Sequence, residues 1–195
     1  MNILQIWLGL NKPSKIMMGY MKNIFLSMKE DDTYTLISSL NLFPKSKKVN
    51  WIDSDKYIEG MLSDVDKSII DLWDYLKNEK FEYIYKSDII RLYYLSKNED
   101  ILYLDTDIEL IKFPSFLDNI YMARRSVSLL NHCIFYNGTN KEFSIKLLKE
   151  AVFNSFNVIG KNYSCNMYWI LGLVEKYKNE ISIIDDSFFE HHREL

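Results

Sequence analysis

Ser87-Asp88-Ile89-Ile90-Arg91-Leu92-Tyr93-Tyr94-Leu95-Ser96-Lys97, then Asn98-Glu99-Asp100, then Ile101-Leu102-Tyr103-Leu104-Asp105-Thr106-Asp107: this stretch decides how the chain is read. Its first part has helical character, with Asp88 and Arg91 three residues apart on one face. Ser87 is placed to cap a helical segment beginning there. Ile101–Leu104 is an unbroken apolar run of strand length. It stops on two carboxylates, Asp105 and Asp107. Such a strand end puts hard oxygen ligands at the rim of a sheet, where divalent cations and phosphates are commonly bound. Each part alone is weak. An isolated Asp-x-Asp reads as a solvated turn, and an isolated Asp88–Arg91 pair as a surface ion pair worth little. Their order, a helix with Asp and Arg, a short turn, an apolar strand and Asp-x-Asp, is far rarer. It supplies what a metal–diphosphate site needs: carboxylates for Mg²⁺ or Mn²⁺, and a guanidinium for the remaining negative charge.

Working outward, residues 2–8 are strongly apolar and suit a central strand. Pro13 and Ser14 are placed to start a helix, and Ile16, Met17, Tyr20, Ile24 and Met28 carry helical spacing from Lys15 to Lys29. Residues 34–37 and 49–52 read as short strands. Residues 62–78 read as one helix with Ile69, Ile70, Leu72, Trp73 and Leu76 inward, and a second runs from about Phe81 to Lys97. Beyond Pro114, strands are expected near 121–123 and 133–136, helices over 141–153 and 164–177, and a last strand at 181–184. Strands alternating with helices argue an α/β fold with a mainly parallel sheet. No repeat, low-complexity segment or linker interrupts the pattern, so 1–195 reads as a single domain.

Composition narrows the functions. The chain has 195 residues, 48% of them hydrophobic, with only 6 glycines and 3 prolines, which suits a packed core and not a disordered chain. A formal charge of -3 gives no surface for a polyanion, so nucleic acid is not expected as a partner. Lys45-Ser46-Lys47-Lys48 is a local exception. Cys133 and Cys165 are too few for a disulfide framework, and their apolar surroundings suggest buried free thiols. No apolar run is long enough to span a bilayer, and the first residues lack the basic start and cleavage site of a signal peptide. A cytoplasmic protein is therefore expected.

The segment SDIIRLYYLSKNEDILYLDTDIEL (Ser87–Leu110) resembles the core of DxD-type glycosyltransferases of the Och1-like "glycosyltransferase sugar-binding region" family. The large clostridial glucosylating toxins share the pattern, S-D-x-x-R-x-x-x-L, a Gly-Gly turn, then Y-x-D-x-D. QIWLGLNKPSK (Gln5–Lys15) is similar to the family's opening strand, which ends in I-W-x-G before a Pro-containing loop. Leu130-Asn131-His132-Cys133-Ile134, followed by Gly138, is similar to a downstream segment that returns an asparagine to the site. The resemblance runs from Gln5 to about Ile170, with its specificity in Trp7 with Gly9 and in Asp88 through Asp107. Two departures stand out. Asn98-Glu99-Asp100 replaces the Gly-Gly turn, and the sequence ends soon after Phe188-Phe189-Glu190-His191-His192, where family members usually continue.

The resemblance implies a single-domain GT-A-like fold and a metal-dependent glycosyltransferase. It would use a nucleotide-sugar donor, Mn²⁺ or Mg²⁺, and a glycan or lipid-linked acceptor, with retention of configuration. Bacterial surface polysaccharide or lipooligosaccharide synthesis, at the inner face of the membrane with peripheral association, would suit it. Carried over by position, Asp107 becomes the direct metal ligand. Asp105 would touch the metal and sugar or ribose hydroxyls, Asp88 would accept from donor-sugar hydroxyls, and Arg91 would contact sugar or diphosphate. Trp7 would lie by the nucleobase, or else be an ordinary core aromatic. Leu8, Tyr103 and Asn131 complete the donor-contact set. His192 would add a metal ligand, although the residues themselves, His191 and His192 near the end, read more readily as an exposed tail. Asp185-Asp186 reads as a turn, His132 as a local hydrogen-bonding residue, and Arg124 and Arg125 as acceptor-side candidates. Two rivals remain: a non-catalytic sugar-nucleotide or glycan binder, and another metal-dependent phosphate-ester enzyme.

Overall fold

Strands buried on both faces read as continuous apolar runs because helices cover a parallel sheet from either side. The chain is built in that way. The computed structural model describes residues 1–44, 46–77, 82–113, 115–116, 119–124, 130–158 and 174–192. In chain order these form β1 (Asn2–Trp7), α1 (Lys15–Ser27), β2 (Thr33–Ser38), β3 (Val49–Asp53), α2 (Ser54–Asp64), α3 (Lys67–Leu76), α4 (Glu82–Lys97), β4 (Ile101–Leu104), β5 (Ile108–Leu110), β6 (Tyr121–Arg124), β7 (Leu130–Tyr136), α5 (Lys141–Val158), β8 (Ser182–Ile184), a 3₁₀ turn (Asp186–Phe188) and β9 (Phe189–His191). Seven strands make one sheet in the order β3-β2-β1-β4-β7-β6-β8. β7 runs antiparallel to its neighbours β4 and β6, and the other pairings are parallel. The mainly parallel α/β sheet expected from the sequence is therefore present.

Two cores sit on the two faces of this sheet. Ile3, Tyr34, Leu36, Leu102 and Leu104 pack with Met21 and Ile24 of α1. Leu4, Ile6, Ile37, Tyr103 and Phe135 pack with Leu72 and Trp73 of α3, Ile89, Ile90 and Leu95 of α4, and Leu147 of α5. Alternation along β1 sends Ile3 to the α1 face and Leu4 and Ile6 to the other. Among the described residues no helix is long and apolar enough to cross a membrane.

Several local expectations need correction. The single helix over 62–78 is two helices, broken where Val65 and Asp66 take extended backbone. α2 begins well before it, because the Asp53 carboxylate accepts from the N–H groups of Asp55 and Lys56, both at 3.1 Å, and caps it. Ser87 caps nothing: it lies inside α4, and its hydroxyl donates to the Ile84 carbonyl at 2.7 Å. β5 and β9 form a second, antiparallel two-stranded sheet that the sequence pattern did not suggest. Ser14 does cap α1, accepting from Met17 N–H at 3.2 Å. The Asp185 carboxylate accepts from Ser187 N–H at 2.8 Å, making the turn read from the sequence. Lys45, Arg125 and Cys165, with most of the helix expected over 164–177, lie outside the described residues, as do the side chains of Arg124, Asn131, His132 and Cys133.

The turn that departs from Gly-Gly keeps a glycine-like backbone. Asp100 has φ 55, in the left-handed region where Asp and Asn are the commonest non-glycine residues. Its carboxylate accepts from the Tyr136 hydroxyl at 2.6 Å, and its N–H donates to the Gly138 carbonyl at 2.7 Å. Buried Asn137 braces the same corner. Its side-chain carbonyl accepts from Ile101 N–H at 2.9 Å, and its amide donates to the carbonyls of Leu95 and Asn98 at 3.0 and 2.7 Å. α4 is thereby fixed relative to β4, and Arg91 relative to Asp105.

Candidate functional site

The site is assembled where β4 ends. α4 is packed on most sides, so its polar pair is buried with it. Arg91 is 1% exposed and Asp88 4%. The Asp88 carboxylate pairs with one terminal nitrogen of Arg91, and the other terminal nitrogen lies 3.3 Å from Asp105 Oδ1. The solvated-surface reading of this pair is therefore excluded. The Arg91 guanidinium also lies over the Tyr103 ring, 4.5 Å from its centroid, and the Tyr103 hydroxyl donates to the Asp105 carboxylate. Two buried side chains thus aim one carboxylate.

Asp105 keeps 28% of its side chain exposed, and Asp107 is half-buried. The backbone between them turns, with Ile108 N–H donating to the Asp105 carbonyl at 3.3 Å. The same carbonyl accepts from Gln5 Nε2 at 3.1 Å. The structure brings Asp88, Arg91, Tyr103 and Asp105 together at the end of β4, and Asp107 follows two residues on in the same turn. Partly open carboxylate oxygens suit a hard divalent cation such as Mg²⁺ or Mn²⁺.

Trp7 ends β1, the strand next to β4. Its indole N–H donates to the Asn11 carbonyl at 2.8 Å, and the ring is half-buried, not part of either core. Leu8, the next residue, packs onto the α4-side core. Gly9 passes beneath the indole: a Cβ there would come within 2.8 Å of Trp7 Cζ2. The spacing of Trp7 and Gly9 therefore has a steric reason.

His192 arrives from the C-terminal side. Its N–H donates to the Asp107 carbonyl at 3.0 Å, so β9 ends beside the motif. Its ring is stacked on Tyr20 with centroids 4.8 Å apart, and Nε2 lies 3.0 Å from Glu109 and 3.7 Å from Glu190. Metal-capable atoms of Glu109, Glu190 and His192 all fall within 4.8 Å of one another. Among the described residues the imidazole thus groups with those two glutamates. Sequence reading did not single out Glu109, Glu190, Gln5 or Tyr34. Their only signal was a polar residue, Gln5, inside an apolar run. Asn131 lies in β7 opposite Ala123 of β6. A cleft of about 510 Å³ lined by Phe43, Pro44, Val49 and Trp51 among others shares no residue with the carboxylate site.

No protein-family model matches the chain, and no curated protein matches it in sequence. Solved structures do resemble it. The PaToxG glycosyltransferase is 22% identical over 91% of this chain and 68% of its own, with a TM-score of 0.68. The glycosyltransferase GlyE of Streptococcus pneumoniae TIGR4 is 12% identical over 96% of this chain, with a TM-score of 0.55, and the match spans 45% of GlyE. The galactosyltransferase LgtC, in complex with donor and acceptor sugar analogs, is 12% identical over 95% of this chain and 74% of its own, with a TM-score of 0.50. The chain has the GT-A fold of these glycosyltransferases.

Proposed function

We propose that this chain is a metal-dependent glycosyltransferase of the Och1-like DxD type, transferring a sugar from a nucleotide-sugar donor to a glycan or lipid-linked acceptor. One observation carries the proposal: buried Arg91 and Tyr103 hold Asp105 at the end of β4, two residues before Asp107. In a sheet of this order that edge is where a diphosphate and its cation would sit. Asp105 and Asp107 would hold Mn²⁺ or Mg²⁺. When bound, the ion would neutralise the diphosphate leaving group. Arg91, already paired, would add positive charge at that edge, and Asp88 would be the nearest acceptor for donor-sugar hydroxyls. The half-buried Trp7 indole, beside Leu8, would lie against the nucleobase, with Tyr103 and Asn131 on the donor side. His192 reaches the same edge through its backbone bond to Asp107. Retention through a front-face displacement is part of the proposal, as is a place in bacterial surface-polysaccharide or lipooligosaccharide synthesis at the inner membrane face. Support comes from the shared fold and from LgtC, which was solved with donor and acceptor sugar analogs.

A thermal-shift screen of nucleoside diphosphates and nucleotide sugars, with and without Mn²⁺, tests this reading. At least one nucleotide should raise the melting temperature, and only with the metal, through linkage. Equal stabilisation in excess chelator would remove the metal site. One observation favours a second reading: the Asp105 carboxylate is already engaged by two protein groups. Donor binding without hydrolysis or transfer would identify a non-catalytic sugar-nucleotide binder.

A further inference from the structure

Gln5 is the one fully buried polar side chain in β1, between Leu4 and Ile6, and an apolar residue there would be the ordinary choice. Both ends of its amide are engaged. Oε1 accepts from the Tyr34 hydroxyl, and Nε2 donates to the Asp105 carbonyl at 3.1 Å. Tyr34 is itself fully buried, and burial pushes its phenol well above the ordinary range, so it remains a neutral donor. The Asp105 carbonyl can only accept, so Nε2 has to face it, and that leaves Oε1 to accept from the Tyr34 hydroxyl.

Gln5 and Tyr34 lie on the α1 face, whereas Arg91 and Tyr103 reach Asp105 from the α4 side. Asp105 is therefore gripped twice, by its carboxylate from one face and its backbone carbonyl from the other. We infer that Gln5, oriented by Tyr34, is a positioning residue for the Asp105–Asp107 turn, setting the direction in which the two carboxylates leave the sheet. As a role for that site in metal binding, the inference rests on the proposed function. As a role in the turn, it stands alone.

The test replaces the relay with an apolar pair, Gln5→Met with Tyr34→Phe. Both side-chain partners go together and the Asp105 carbonyl keeps the Ile108 N–H as a donor, so no buried polar group is stranded and the melting temperature should stay within about 3 °C of the parent. Amide hydrogen exchange at Ile108, whose N–H donates to the same carbonyl, should quicken by about tenfold while amides of β1 and β2 are unchanged. Binding of Mn²⁺ alone, followed by the paramagnetic resonance of the free ion, should weaken by about tenfold, the low end of what losing an outer partner costs a metal site. Tyr34→Phe alone keeps the Nε2 donor and should give a smaller change of the same sign. Parent-like exchange at Ile108 in the double variant overturns the positioning role. A parent protein that binds no Mn²⁺ would sink the metal reading instead, and the exchange measurement would still decide the role of Gln5. Should the double variant fail to fold, the single Tyr34→Phe protein decides, parent-like Ile108 exchange again overturning the role.

Discussion

At the scale of single residues, the pair Asp88 and Arg91 carries the sharpest energetic consequence. A surface pair of this spacing would contribute well under about 1 kcal/mol. With Arg91 1% and Asp88 4% exposed, a truncation instead takes the guanidinium away from a buried carboxylate. Arg91→Met should cost about 3–5 kcal/mol, because removing one partner of a buried ion pair is the expensive outcome. Adding Asp88→Leu removes that carboxylate too and should recover most of the loss without restoring activity. Urea unfolding of the two proteins checks this, and a single variant as stable as the parent would contradict the buried pairing. Activity of Arg91→Met therefore has to be read where the protein is still folded.

At the scale of elements, α5 is tied to the segment before β8 through one carboxylate. Glu150 accepts from the Tyr177 hydroxyl and pairs with Lys176 at 3.0 Å. The Tyr177 hydrogen bond, helped by Lys176 against some desolvation, holds the Glu150 carboxyl below the usual range. A carboxylate with a depressed folded value stabilises the fold above its unfolded pKa of 4.5, and that contribution fades as pH falls through the lower folded value. Glu150→Gln should therefore cost up to about 1 kcal/mol at pH 7 and much less at pH 3. Guanidinium unfolding at both pH values measures it, and an equal deficit at both would show that the charge is not responsible. The elements also explain what was legible. β1, β2 and β4 could be read because burial on both faces makes strands continuously apolar. α2 could not, since of its eleven residues only Ser54 and Met61 are buried and its start depends on the Asp53 cap. The break at Val65–Asp66 was hidden because the apolar spacing of α3 runs back into α2. β5 and β9, three residues each, are too short for a period, and their pairing joins residues some eighty positions apart. The candidate cluster from Asp88 to Asp105 was legible because chemistry and spacing coincide. The hold of Gln5 on the turn was not, since nothing in a sequence says which way a buried amide points.

At the scale of the whole molecule, the sheet order brings three distant stretches to one edge: Trp7 at the end of β1, the Asp105–Asp107 turn after β4, and the end of β9, bonded to Asp107. Each is tied to the sheet or the helices around it: Gly9 packs beneath Trp7, Asn137 braces α4 on β4, and β9 pairs with β5. The fold can thus present two half-open carboxylates beyond the end of β4 beside its buried cores. In the proposed function these carboxylates serve a metal and a donor rather than the fold. Asp107→Asn removes one charge with almost no change in shape. Two carboxylates sharing a small site repel one another without a cation, so the metal-free variant should match or slightly exceed the parent in stability. The decisive measurement is nucleotide-sugar hydrolysis and transfer with Mn²⁺, run beside metal-free chemical denaturation, for parent and Asp107→Asn. The parent should turn over the donor, and Asp107→Asn should lose more than about 100-fold of that turnover with no loss of metal-free stability. A variant that is less stable without metal yet still turns over the donor would contradict the proposed function.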